Sequence, residues 1–163
     1  MPIEPQPEGG GRLHENVVNA TTTLQDIVDS QGRLFGWLAP SGQATAFEAS
    51  IFFTTNAVNQ GLGLAMRGPA GVTPRIGIYI PESNGGLMAE SVNTWGTVVQ
   101  ASTSRGEGTQ AMAFIRGSVY VPKNVAGGVV AVQFKARSAA PNAVTVLWGS
   151  VLEVQDLPMS GLF

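Results

Sequence analysis

The sequence predicts an all-β domain, a sandwich or barrel of about eight or nine short strands behind an extended N-terminal arm. Three observations predict it. Apolar and polar residues alternate with period two through much of residues 33–157. Clusters of Gly, Pro, Asn and Ser cut that alternation at fairly even spacing. Proline, present ten times, falls only in the arm, in turns or at strand ends, as it must where a missing N–H would break a ladder.

The elements follow in order. Met1–Gly11 (MPIEPQPEGGG) holds three prolines, three glycines and almost no side chain able to fill a core. Such a segment cannot bury enough apolar surface to offset its ordering entropy, so it is expected to need a partner surface. In Thr23–Ser30, Leu24, Ile27 and Val28 stand at i, i+3 and i+4, which allows one short helix or an extended strand. Arg33–Leu38 is a weak strand. Phe47–Thr54 places Phe47, Ala49, Ile51 and Phe53 on one face. Leu62, Leu64 and Met66 form the next strand, and Ile76, Ile78 and Ile80 another. Thr94–Ala101 is again weak. Ala113, Ile115, Gly117, Val119 and Val121 give a long strand, followed by Val130, Val132, Phe134 and Ala136. Val144, Val146 and Trp148 lead into Ser150–Val154. The turn Ser138–Asn142 makes Val129–Arg137 and Ala143–Trp148 an expected antiparallel pair. The resulting domain division is an arm over 1–32, a sandwich over 33–157 and a tail over 158–163.

Composition narrows the function. Charged residues reach 12%, half the usual share of roughly 25%. Short neutral polar side chains lose little rotamer entropy on meeting another protein, which suits a permanent subunit. The formal net charge is −2, and Lys123, Lys135 and seven scattered arginines build no basic face for nucleic acid. The longest apolar runs, such as Gly127–Val132, are too short to cross a bilayer. The acidic, proline-rich N-terminal stretch lacks the pattern of a secretory signal. With no cysteine and a single histidine, His14, one chain cannot build a His/Cys metal site or place a triad base within the sandwich. No cofactor fingerprint is present: Gly68–Gly71 and Gly85–Gly86 lack the Lys and helix of a phosphate loop. Glu48 and Glu153 lie on strands and could face a shared groove, which is the residual case for glycoside hydrolysis. The expectation is nonetheless a non-enzyme with no catalytic residue, metal or cofactor.

Aromatics are the remaining binding candidates. Trp148 continues the inward set of Val144 and Val146 and reads as core. Trp95 reads as core or subunit interface. Phe52 and Tyr120 are out of phase with the inward residues of their own strands, which marks an interface.

In order, FEASIFFTT, LGLAMRGP, RIGIYIP, QAMAFIRGSVYV, GGVVAVQFKAR and AVTVLWGSVLEVQDL resemble β-sandwich modules of tailed-bacteriophage virion proteins. The resemblance spans about Phe47–Leu157. It implies an antiparallel, jelly-roll-like or tumour-necrosis-factor-like sandwich that assembles as a homotrimer. Capsid decoration proteins and tail-fibre heads both use such modules, and a short arm suits the first. The implied partner is the major capsid protein, and the implied location is the capsid surface after synthesis in the host cytoplasm. Arm contacts are expected at Ile3, Leu13, His14, Val17 and Val18, and subunit contacts at Phe52, Trp95, Tyr120, Leu162 and Phe163. The alternative is a receptor-binding head whose loop tips, Gly85–Met88 and Ser102–Gly108, contact host glycan.

Overall fold

The computed structural model describes residues 4–5 and 11–157. The arm contributes β1 (Glu4–Pro5), β2 (Gly11–Arg12), β3 (Val17–Asn19) and β4 (Gln25–Asp26). There follow β5 (Arg33–Leu34), β6 (Gly36–Ala39), β7 (Ala44–Thr55), β8 (Leu62–Arg67), β9 (Arg75–Pro81) and β10 (Leu87–Val92). The chain closes with β11 (Val99–Gln100), β12 (Ala111–Tyr120), β13 (Gly128–Ala136), β14 (Val144–Val146) and β15 (Val151–Leu157). No helix occurs among the described residues.

Two antiparallel sheets form the sandwich. The larger has eight strands and runs β10-β9-β12-β7; beyond β7, β15 and β14 share its free edge, flanked by β2 and β3. The smaller has five and runs β11-β8-β13, with β6 and β4 sharing the far edge of β13. A short parallel pair, β1 with β5, stands apart. The alternation explains why β7 and β12 become the centre of the large sheet. Phe47, Ala49, Ile51, Phe53, Ala113, Ile115 and Val119 are buried on one side. They meet Leu62, Leu64, Met66, Val130, Val132 and Phe134 of the smaller sheet, and Trp37 on β6 lies 4.8 Å from Phe47, ring centre to ring centre. Each such side chain taken out of water is worth about 1.5–3 kcal/mol.

Three expectations need correction, and one open alternative is resolved. Val129–Arg137 and Ala143–Trp148 do not pair: β13 belongs to the small sheet and β14 to the large one, so the Ser138–Asn142 turn crosses between layers. Both edges of β13 are already filled, by β8 and by β6 with β4. Thr23–Ser30 is not a helix but the two-residue strand β4 followed by a tight turn. Trp148 is not core; it is 67% exposed, at a turn where Gly149 takes φ 86° and shifts the phase between β14 and β15. The sheets also begin well before residue 33: β3 pairs with β14 and β4 with β13, so most of the described arm is built into the sandwich.

Candidate functional site

Cross-strand register arranges the outer face of the large sheet in rows, since directly opposite residues share a face. One row reads Ala89, Tyr79, Phe114, Ser50, Val151, Arg12 across β10, β9, β12, β7, β15 and β2. Tyr79 and Phe114 stack with ring centres 4.8 Å apart. The Tyr79 ring extends along its strand over Gly77, where a Cβ would sit 2.9 Å from the phenol oxygen. The next row is Ser91, Gly77, Arg116, Glu48, Glu153. Arg116 Nη2 lies 3.5 Å from Glu48 Oε2, while among the described residues Glu153 has no salt-bridge partner. Beyond it come Arg75, Ser118, Ala46, Gln155, then Tyr120, Ala44, Leu157. On the other side of the aromatic row, Met112 faces Phe52.

Two shallow depressions lie along this face. One, of about 560 Å³, is lined by Glu48, Arg116, Glu153 and Gln155; the other, of about 350 Å³, shares Glu48 and Glu153 and adds Phe52, Met112 and Val151. The face is therefore an open, mixed surface: charge in the centre, apolar groups to either side. Tyr120 is 46% exposed and Met112 45%.

The structure brings Glu48 and Glu153 directly opposite each other at one depression, the kind of carboxylate pair a glycosidase requires. Such an enzyme also needs one carboxyl sheltered from water so that it stays protonated. Here the Glu48 side chain is 51% exposed, and Glu153 is exposed as well. The arrangement suits ion pairing with another protein better than acid catalysis.

The predicted contact residues divide sharply. Leu13 is buried in the chain's own core, its N–H donating to Ser150 O and its carbonyl accepting from Gly149, both at 2.8 Å. Val17, half-buried, packs against that core too. His14 and Val18 are exposed. Phe52 is half-buried on the outer face and Tyr120 projects from it. Trp95 is half-buried within its own subunit: its ring covers Gly68, where a Cβ would meet it at 2.3 Å, and Nε1 donates to Pro69 O at 3.1 Å. Ile3, Leu162 and Phe163 lie outside the described residues. Sequence reasoning missed Tyr79, Met112 and Phe114. The out-of-phase rule that selected Phe52 and Tyr120 selects these also, because each stands between inward neighbours.

Of the two loops in the alternative reading, Ser102–Gly108 is tied to Glu82 and Ser83, just ahead of the Gly85–Met88 tip. Ser102 donates through N and Oγ to Glu82 Oε1, at 2.8 and 3.0 Å, and Ser83 N donates to Thr103 Oγ1 at 3.1 Å. The Ser102 N–H beside it holds the Glu82 carboxyl below its ordinary value. The outer face of the small sheet, by contrast, is largely closed. Ala65 and Ala131 are buried there, beside Asp26, which accepts two bonds from Arg67 at 2.8 and 2.7 Å and one from Gln133 at 3.1 Å. Burial works against the Asp26 carboxylate, but Arg67 outweighs it and lowers the pKa.

No family model and no curated protein matches the chain. Among solved structures it is similar to a chain of infectious bursal disease virus, Gt strain, with 16% identity and a TM-score of 0.24 over 96% of this chain and 42% of that one. A chain of the Gx strain gives 14% and 0.23, over 92% and 40%. The chain thus spans less than half the length of these virus chains, and the likeness is too slight to carry function across.

Proposed function

We propose that this chain is a structural virion subunit, a decoration protein that lies on the outside of a tailed-phage head and reinforces it. One observation carries the reading: on the outer face of the large sheet Phe52, Tyr79, Phe114 and Val151 are only half-buried, Met112 and Tyr120 are exposed, and no other strand among the described residues packs over them. Outward aromatic and apolar side chains around a charged centre are what a contact with another protein would use. The sequence resemblance over Phe47–Leu157 and the 12% charge content agree with it. The mechanism is mechanical. Rigid sheets spread load across neighbouring capsid subunits, and several copies acting together raise the effective concentration of each contact.

The test is copy number in purified particles, by quantitative mass spectrometry against the major capsid protein. A ratio near one to one is the expected result. A few copies per particle would replace the decoration reading with the receptor-binding one, which the Glu82–Ser102 junction between the two loop tips favours. Absence from particles would remove both.

A further inference from the structure

We infer that the outer face of the large sheet binds a second copy of this chain through a two-fold axis running along β7. The inference rests on the reading of that face as an assembly surface and names its occupant. A two-fold rotation about β7, with two such faces opposed, keeps every cross-strand row in register. It exchanges β12 of one copy for β15 of the other, and β9 for β2.

The rows of this chain match themselves under that operation. In the charged row, Arg116 comes opposite Glu153 of the second copy, and Glu153 opposite its Arg116, so the acid without a partner gains one twice over. In the aromatic row, Phe114 meets Val151 and Tyr79 meets Arg12, a hydrophobic pair and a cation against a ring. In the next rows Ser118 meets Gln155, and Tyr120 meets Leu157. Every outward residue of β7 lies on the axis and meets itself: Ala44, Ala46, Glu48, Ser50 and Phe52. Each Glu48 keeps its own Arg116 at 3.5 Å, and that cation offsets the repulsion between the two carboxylates. An axis over the β12–β7 boundary instead leaves Glu153 opposite Gly77, which has no charge to offer it.

The area is modest. Seven residues at about 3.4 Å each, the length of β9 and β15, across four strands about 4.8 Å apart, give roughly 460 Å² per copy. The total of about 900 Å² is that of a weak, concentration-dependent contact. An isologous pairing of this kind closes on itself and needs no third subunit.

The experiment is light scattering on size-exclusion fractions, with sedimentation equilibrium, for the full chain and three variants. Wild type is expected as a dimer or an even-numbered assembly. Arg116→Glu and Glu153→Arg should each raise the dissociation constant at least about tenfold, because each places like charges opposite one another twice. The double variant R116E/E153R should restore the dimer, since it exchanges the two charges and still leaves a cation beside Glu48. Urea unfolding of all four controls for folding, and a merely structural loss would not be rescued by the swap. A monomeric or trimeric wild type, or single variants that dimerise normally, would overturn the inference. A monomer that still coats particles through this face would show the capsid as occupant and remove the dimer alone. Absence from particles with an intact dimer would remove the decoration reading alone.

Discussion

Asp29 shows how one side chain decides a local structure. Its carboxylate accepts from Gln31 N at 3.0 Å, Arg33 N at 2.9 Å and Arg33 Nε at 2.6 Å, while its side chain is only 2% exposed. The bonds bend Asp29–Arg33 into a turn, and Gly32 completes it with φ 79°. Thr23–Ser30 runs extended up to this turn: Gln25 and Asp26 pair with β13, and Ile27 N donates to Val132 O. Burial opposes the charged form of Asp29, yet the Arg33 and Gln31 bonds win and lower its pKa. The sign follows: its stabilisation is complete above the unfolded aspartate value of about 3.9 and is lost as pH falls through the lower folded value. Asp29→Ala strands two backbone donors and should cost about 1–3 kcal/mol at neutral pH. Urea unfolding at pH 7 and pH 3 checks both statements: the gap between wild type and variant should narrow at the lower pH.

At the scale of elements, the edges of the two sheets are guarded. β2, β3, β4, β6 and β11 are two to four residues long, too short to template another chain. β10 is the exception, with six residues. Its guard is Glu90, which shares the core-side face with Met88 and Val92 yet remains exposed, so any strand added there would bury a charge. Glu90→Val removes that guard and should produce concentration-dependent aggregation, read by light scattering, with little change in unfolding free energy. Glu90 also explains why β10 is hard to see in the sequence: in LMAESV the alternation that revealed β7, β9 and β12 is interrupted by a charge at an inward position. The strong strands were legible because burial on one face imposes period two. Their partners were not, because period two says nothing about which edge a strand occupies; β14 takes the stretch of β7 beside Thr54 that β15 leaves open. Trp148 misled for a related reason, since the turn at Gly149 ends the alternation one residue earlier than the apolar run suggests.

For the whole molecule, the central fact is that one strand of the large sheet carries two faces of different burial. Phe114 and Ile115 are neighbours on β12, yet Ile115 is fully buried between the sheets while Phe114 lies half-exposed against Tyr79. Their substitutions should therefore separate folding from assembly. Ile115→Ala opens a cavity in the core and should cost about 2–5 kcal/mol. Phe114→Ser loses a stacked pair worth about 0.5–1.5 kcal/mol and some outer-face area, so the subunit should stay folded. Self-association should respond in the opposite order: strongly weakened in Phe114→Ser, and retained in Ile115→Ala at temperatures where that variant is still native. Urea unfolding and sedimentation on the same samples give both readings. If Phe114→Ser associates as wild type does, the outer face is not what joins subunits, and the partner surface must be sought at the loop end where Glu82 and Ser102 meet.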